Sequence, residues 1–470
     1  MVPKEDEILT PPPPAIAPMA VVRRRWPLYA SLLALGVLPA LDIAGLTGDA
    51  ASLNVVRTGF FAVTALTTAY LGAERQDIGT TAPVTGKSAA LAPVFAATTL
   101  GLLYALIKYT NLDPGQLYRL FAVIFGWLCL TELLQPLVAL SPLGEALADA
   151  GVGAADENSV GDRDEIAKEA AKEAKREAQR REMMAGLDTI GESTADAARF
   201  RAGFAPASAA ALAAAVGYVV TVGNIGSGAG GADGFFFIGV VENLRLTAFF
   251  NDYLAVAIAM VSLGQVALES FLAGASLLGG LFLYDALSVF KSDAMVTVAT
   301  KIEAPVKLLF AGASAPTDGR YPFAVLGLGD IAVPGAFLAM LRQFDIEQWY
   351  KSGGSGGAKA AAAAAAAMEP PEGASLDFYA DMETPYFSSG LLAYSIGIAA
   401  TFGVLATTGQ GQPALFYIVP SLLAASLATA ASRGELPELL AFKSARAAAG
   451  TKAREEAKEA RRREKEEGKS

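Results

Sequence analysis

Nine apolar runs of about 20 residues each decide what this chain can become. They cover residues 51–73, 88–108, 117–140, 203–223, 248–268, 271–290, 322–341, 386–408 and 413–432, separated by short polar links or dense charged tracts. A run of that length is what a helix needs to cross a bilayer, where every backbone polar group must be satisfied within the protein. The chain is 53% hydrophobic and its charges are bunched rather than spread over every segment, so it reads as an all-α polytopic membrane protein with nine transmembrane helices. A tenth apolar segment follows Arg23, Arg24 and Arg25; over residues 26–47 it reads either as a signal-like sequence or as an extra span.

The organisation follows from those runs. Residues 1–25 form a disordered Pro-rich amino terminus, 48–223 hold the N-terminal membrane helices with a charged cytosolic insertion at 141–202, 248–432 hold the remaining helices, and 433–470 form a charged cytosolic tail. Within the insertion, Asp162–Glu182 pairs acids with bases four residues on, such as Asp164 with Lys168 and Glu177 with Arg181, which predicts a solvated helix. Residues 353–367 end in eight alanines and read as a low-complexity loop insertion without an assigned role. The segment 234–241 is too short to span and is expected at the interface. Placing the arginine cluster, the insertion and the tail in the cytosol satisfies the positive-inside rule, with the loop 291–321 dissenting through Lys291, Lys301, Lys307 and Arg320.

Two compositional absences narrow the chemistry. The chain has no histidine, and Cys129 is its single cysteine. Serine hydrolysis through a Ser-His-Asp triad, Cys-His proteolysis and the H-E-x-x-H zinc site are all excluded. An intrachain disulfide is excluded as well, and Cys129 reads as a small core residue.

Against that background two aspartates stand out. Asp285 lies in the apolar run 271–290, and Asp330 lies in the next one, 322–341. A carboxylate in a membrane span is costly and normally has both a partner and a task. With a helix starting at Pro322, Asp330 is expected about eight residues, or ~12 Å, into its span, and Asp285 about six residues, or ~9 Å, from the same face of the membrane. Antiparallel neighbours would then bring the two carboxyls to nearly equal depth. Gly327 and Gly329 would let another backbone, a neighbouring helix or a substrate, come close. Two adjacent carboxyls in low dielectric do not both ionise and can share one proton between an acid and a base, which is general acid/base chemistry needing no metal and no cofactor. A lone G-x-G-D is a weak signal, and a single membrane aspartate equally suits a proton or ion relay.

A third element is Gln412–Pro420, QPALFYIVP, which opens the last apolar run. Tyr284-Asp285, Gly327-Leu328-Gly329-Asp330 and Pro413-Ala414-Leu415 together resemble the YD, GxGD and PAL motifs of the presenilin-type intramembrane aspartyl proteases. Within that family the likeness is to the signal peptide peptidases, through LLGGLFLYD (277–285), MVTVATKIEAPVKLLF (295–310) and LGLGDIAVPGAF (326–337) as well. The resemblance is specific from about 248 to 442 and only topological upstream. It implies a nine-helix bundle in which Asp285 and Asp330 are the catalytic pair, Tyr284, Gly327, Leu328 and Gly329 complete the active-site motifs, and Pro413, Ala414 and Leu415 shape the site and dock substrate.

The implied activity is an aspartic endopeptidase that cuts within single transmembrane helices, leftover signal peptides and type II membrane proteins among them. Its partners would be those substrates and membrane lipid, with no nucleic acid and with homo-oligomerisation left open. The endoplasmic reticulum membrane is the expected location, although the tail lacks a dilysine signal. Two alternatives remain at this stage: a signal peptide peptidase-like sheddase of a later compartment, and a channel or transporter using the aspartates as a relay.

Overall fold

The computed structural model describes residues 18–42, 50–78, 82–109, 114–150, 194–226, 240–291, 304–311, 323–352, 382–408, 413–445, 447–448 and 451. The helix expected at Asp162–Glu182, the alanine insertion, most of 234–241 and nearly all of the tail beyond Phe442 therefore lie outside the described residues or at their edge.

Each of the nine apolar runs contains most of one long helix. These are α3 (Ala50–Glu74), α4 (Gly86–Tyr109), α5 (Pro114–Ala139), α7 (Thr194–Gly226), α8 (Val240–Gln265), α9 (Phe271–Lys291), α10 (Gly329–Lys351), α11 (Pro385–Thr408) and α12 (Leu415–Arg433). Shorter helices α1 (Pro18–Arg24), α2 (Trp26–Leu35), α6 (Pro142–Asp149) and α13 (Leu436–Ala441) complete the set among the described residues. Six of the long helices are both long and apolar enough to cross a membrane by length and composition: Ser52–Asp77, Arg119–Ala139, Ala195–Gly223, Val241–Gln265, Pro385–Leu405 and Leu415–Arg433. The protein is thus an all-α polytopic membrane protein, as the hydropathy requires.

Helix α8 runs through the middle of the bundle and touches α3, α5, α7 and α10. Close approach there uses small residues: a Cβ on Gly126 of α5 would meet Leu254 at 3.2 Å, and one on Gly217 of α7 would meet the ring of Phe250 at 2.6 Å. Helices α5 and α7 form an antiparallel pair fixed by side-chain donors to backbone carbonyls, Trp127 Nε1 to Ser208 O at 3.2 Å and Gln135 Nε2 to Phe200 O at 2.9 Å. The segment that the sequence leaves open as leader or span packs into this bundle through Tyr29 and Leu32 of α2, both buried. The end of the stretch expected to be disordered is helical instead, because it too finds partners: Met19–Val22 of α1 are buried, and Arg25 is bidentate to Glu74 at the end of α3, with its Nη2 at 2.8 Å from Oε1.

Two small sheets interrupt the helices. β1 (Ala82–Val84) pairs in parallel with β2 (Val266–Leu268), which ties the start of α4 to the α8–α9 junction. β3 (Lys307–Ala311) pairs antiparallel with β4 (Phe323–Gly327), from Lys307 opposite Gly327 to Ala311 opposite Phe323. This second sheet corrects the sequence expectation. The apolar stretch after Pro322 begins as a strand, and its helix starts only at Gly329, so Asp330 stands in the first helical turn and not ~12 Å into the helix. Lys307, expected as a loop charge, is buried in β3.

Helix α10 is fastened at its far end by charge. Arg342 donates to both carboxylate oxygens of Asp77, Nη1 to Oδ1 at 3.0 Å and Nη2 to Oδ2 at 2.8 Å, with both side chains almost fully buried. The adjacent Gln343 bonds Gln76, and Ser444 bonds Gln343, so that α10, the turn after α3 and the segment after α13 meet in one polar network. Three residues on, Asp345 accepts from Tyr386 N at 3.1 Å and Phe387 N at 2.8 Å, capping the first turn of α11 from outside its own chain segment. Removing one partner of a buried pair strands the other charge. Asp77→Ala is therefore expected to cost about 3–5 kcal/mol in equilibrium unfolding of the detergent-solubilised protein. Adding Arg342→Met to it should recover part of that loss, and strictly additive losses would show that the two residues are not coupled.

Candidate active site

Asp285 sits in the last part of α9, where the helix turns a buried face inward: Asp285 is buried while Leu283 and Leu287 beside it are exposed. Asp330 sits in the first turn of α10 and is partly buried. Helices α9 and α10 are in contact, and each carries one of the two aspartates. The two aspartates stand on touching helices, and a turn at Leu328, fed by a strand, rather than a helix begun at Pro322, delivers Asp330 to the start of α10.

That turn is held from both sides. Leu328 N donates to Val306 O at 3.0 Å, continuing the β3–β4 ladder by one bond, and Ala332 N donates to Leu328 O at 2.8 Å, starting α10. The Leu328 side chain is buried in the core. A Cβ added at Gly327 would meet Asp330 Oδ2 at 3.4 Å. At Gly329 an added Cβ would meet nothing within 4 Å. Among the described residues no neighbouring helix packs on either glycine.

The hairpin itself rests on two residues of α8 that hydropathy reasoning missed. Asn251 Nδ2 donates to Lys307 O at 2.6 Å and to Asp252 Oδ1 at 2.9 Å, and Asp252 Oδ1 accepts from Leu309 N at 2.8 Å. Both side chains are buried. They satisfy the outer hydrogen-bonding edge of β3, which otherwise faces the interior of the bundle without a strand to pair with. An Asn-Asp pair in the first third of an apolar run was the available signal. Phe310 of the same strand packs on Phe60 and Phe61 of α3, with ring centroids 5.5 and 6.5 Å away, and Phe61 stacks on Phe402 of α11 at 5.8 Å.

Pro413, Ala414 and Leu415 are buried at the entry to α12. Proline at this position loses no helical bond, and the first turn closes through Phe416 N to Pro413 O and Ile418 N to Ala414 O, both at 3.1 Å. Within the first turn of α12, Phe416 stacks on Phe282 of α9, centroids 5.4 Å apart and planes 20° apart. Phe282 precedes Asp285 by one helical turn, so this contact fixes the P-A-L entry against the helix that carries Asp285. Tyr284 is half-buried next to Asp285. All nine positions singled out from the sequence thus fall on α9, α12 or the β4–α10 junction, elements that touch one another.

Residues 236–446 match the family described as signal peptide peptidase, the stretch that holds all of these positions. A probable intramembrane protease of Schizosaccharomyces pombe is 34% identical over 194 residues, which cover 41% of this chain and 56% of that protein. The signal peptide peptidase of Mus musculus is 31% identical over 232 residues, 47% of this chain and 52% of its own length, and that of Homo sapiens 30% over 211 residues, 44% and 46%. The chain thus spans about half the length of the curated relatives it matches. No solved structure matches it.

The anchoring of the hairpin can be tested apart from any activity. Asp252→Ala removes the acceptor for Leu309 N and is expected to cost about 1–3 kcal/mol of stability. Hydrogen exchange of residues 306–311 should accelerate while α12 keeps its protection. Unchanged exchange in the hairpin would show that β3 is held by its apolar contacts alone.

Proposed function

We propose that this chain, whose residues 236–446 match the signal peptide peptidase family, is an intramembrane aspartyl endopeptidase in which Asp285 and Asp330 are the catalytic pair. The observation that carries the reading is the placement of Asp285 and Asp330 on two touching helices, α9 and α10, inside a polytopic membrane protein, with Gly329 beside Asp330 left open among the described residues. One carboxylate accepts a proton from water as the water oxygen attacks the peptide carbonyl carbon. The partner, protonated, donates to the developing oxyanion. When the tetrahedral intermediate collapses, the C–N bond breaks, the proton first taken from water passes to the leaving amine, and the pair regains the single proton it began with.

The substrate is a single transmembrane helix, such as a leftover signal peptide or a type II membrane protein. A helix shields its peptide bonds, so the bond to be cut must first be extended, and helix-weakening residues near it should speed cleavage. Tyr284, Gly327, Leu328 and Gly329 shape the surroundings of the pair. Pro413, Ala414 and Leu415 bear on it through the Phe282–Phe416 stack and receive the extended segment. The membrane of the endoplasmic reticulum is the compartment that supplies such substrates, and co-localisation of a tagged chain with a resident marker tests that assignment.

Asparagine is nearly isosteric with aspartate but cannot exchange the proton. Asp285→Asn and Asp330→Asn should each abolish cleavage of a synthetic signal peptide by the purified protein, read by mass spectrometry, and the double variant should be no worse than either. Substantial proteolysis by one single variant would favour a proton or ion relay instead. Pro413→Ala separates two roles for the α12 entry. As a mere helix start it would leave turnover intact, whereas a site-shaping role lowers cleavage sharply in a protein that stays folded and inserted.

A further inference from the structure

Helix α10 carries a backbone defect at Asp330. In an α-helix the carbonyl of residue i accepts from the N–H of residue i+4. Four residues after Asp330 stands Pro334, inside the helix, and proline has no N–H. The Asp330 carbonyl therefore lacks its helical donor, in a setting where water is scarce and a freed backbone group must find a partner on a neighbouring helix.

Tyr394 is that partner. Its hydroxyl donates to Asp330 O at 2.9 Å, and its ring is fully buried on α11. The donor is well placed because α11 is itself set by α10: Asp345, on the same helix as Asp330, caps the first turn of α11 at Tyr386 and Phe387. The two helices are thus pinned to each other at two points, by a carboxylate at one and a phenol at the other. The phenol is committed to a backbone carbonyl, so it acts on the residue's backbone and not on a substrate.

We propose that Tyr394 is a positioning residue for the catalytic step: its hydroxyl supplies from α11 the hydrogen bond that Pro334 withholds, and so sets the direction in which Asp330 presents its carboxyl to Asp285. The inference rests on the proposed function in taking Asp330 as catalytic. The physical consequence is a rigid first turn at the one place where α10 is weakened. A small misplacement of a reacting group is expensive in rate, about a hundredfold for 1 Å.

The test is a cycle of Tyr394→Phe and Pro334→Ala in the purified full chain. In the Pro334→Ala background the helix supplies its own N–H, so the phenol is no longer needed. With a synthetic signal peptide as substrate, Tyr394→Phe alone should lower kcat about ten- to a hundredfold while KM stays within about twofold. In the Pro334→Ala background the same change should lower kcat by less than about threefold. Thermal unfolding of the same variants reads the exchange of donors without activity: Tyr394→Phe should lower Tm in the parent and by a smaller shift in the Pro334→Ala background. Unaltered kcat for Tyr394→Phe overturns the positioning role. Equal losses in both backgrounds overturn the exchange and leave only generic packing. If the parent itself cleaves nothing while the Tm shifts are coupled, the proposed function fails and takes the catalytic meaning of Tyr394 with it; uncoupled Tm shifts remove the hydrogen-bond exchange whatever the activity.

Discussion

A polar group carried into hydrocarbon must find a partner inside the protein, and helix α10 meets that demand along much of its length. Its start is held by Leu328 N on Val306 O, its first-turn carbonyl by the Tyr394 hydroxyl, and its later turns by the Arg342–Asp77 pair and by Asp345 on two amides of α11. The bonds reach the start of the β3 hairpin, the turn after α3 and α11 at two points, so α10 is fixed in rotation as well as in position. Asp330 inherits that rigidity because it stands where the strand, the helix start and α11 converge. The arrangement suits the role proposed for Asp330, since a carboxylate that is to exchange protons cannot itself be tied up by a neutralising cation. Its surroundings must supply the stiffness instead.

Asp285 is held by other means. Among the described residues α9 carries no buried ion pair. Its contacts are apolar and close: a Cβ on Gly280 would lie 2.4 Å from Pro93 of α4, one on Gly274 would lie 2.8 Å from Phe337 of α10, and Phe282 stacks on Phe416 of α12. Small residues that let backbones approach are the usual means of joining helices where lipid offers no hydrophobic advantage. The exposed Leu283 and Leu287 on the same helix point away from this packing.

The parts of this design that the sequence made legible are those encoded by residue type within one segment. Apolar runs of spanning length located the nine long helices, and Asp285, Asp330 and Pro413 stood out because each is a poor choice for an apolar run unless it has work to do. What was not legible depends on distant pairing. Phe323–Gly327 is as apolar as the helix it precedes, and hydropathy alone cannot separate a short strand from a first helical turn. The strand exists because Lys307–Ala311 pairs with it and because Asn251 and Asp252 satisfy the other edge. Likewise Asp77 lies just beyond its apolar run and Arg342 just beyond its own, where each reads as an ordinary interfacial charge; 265 positions separate them in sequence.

The Pro334–Tyr394 relation belongs between these cases. The proline and the aspartate four residues before it are visible in the sequence, and their spacing alone says that the Asp330 carbonyl needs an outside donor. Which residue supplies it could only be found once α11 was placed beside α10. A helix broken at this point would ordinarily be a liability in a membrane, because a freed carbonyl invites water and loosens the turn. Here the freed carbonyl belongs to Asp330 itself, just after the β4 turn, and α11 supplies the donor that the helix lacks. Freeing the Asp330 carbonyl and bracing it from α11 are therefore two halves of one structural solution.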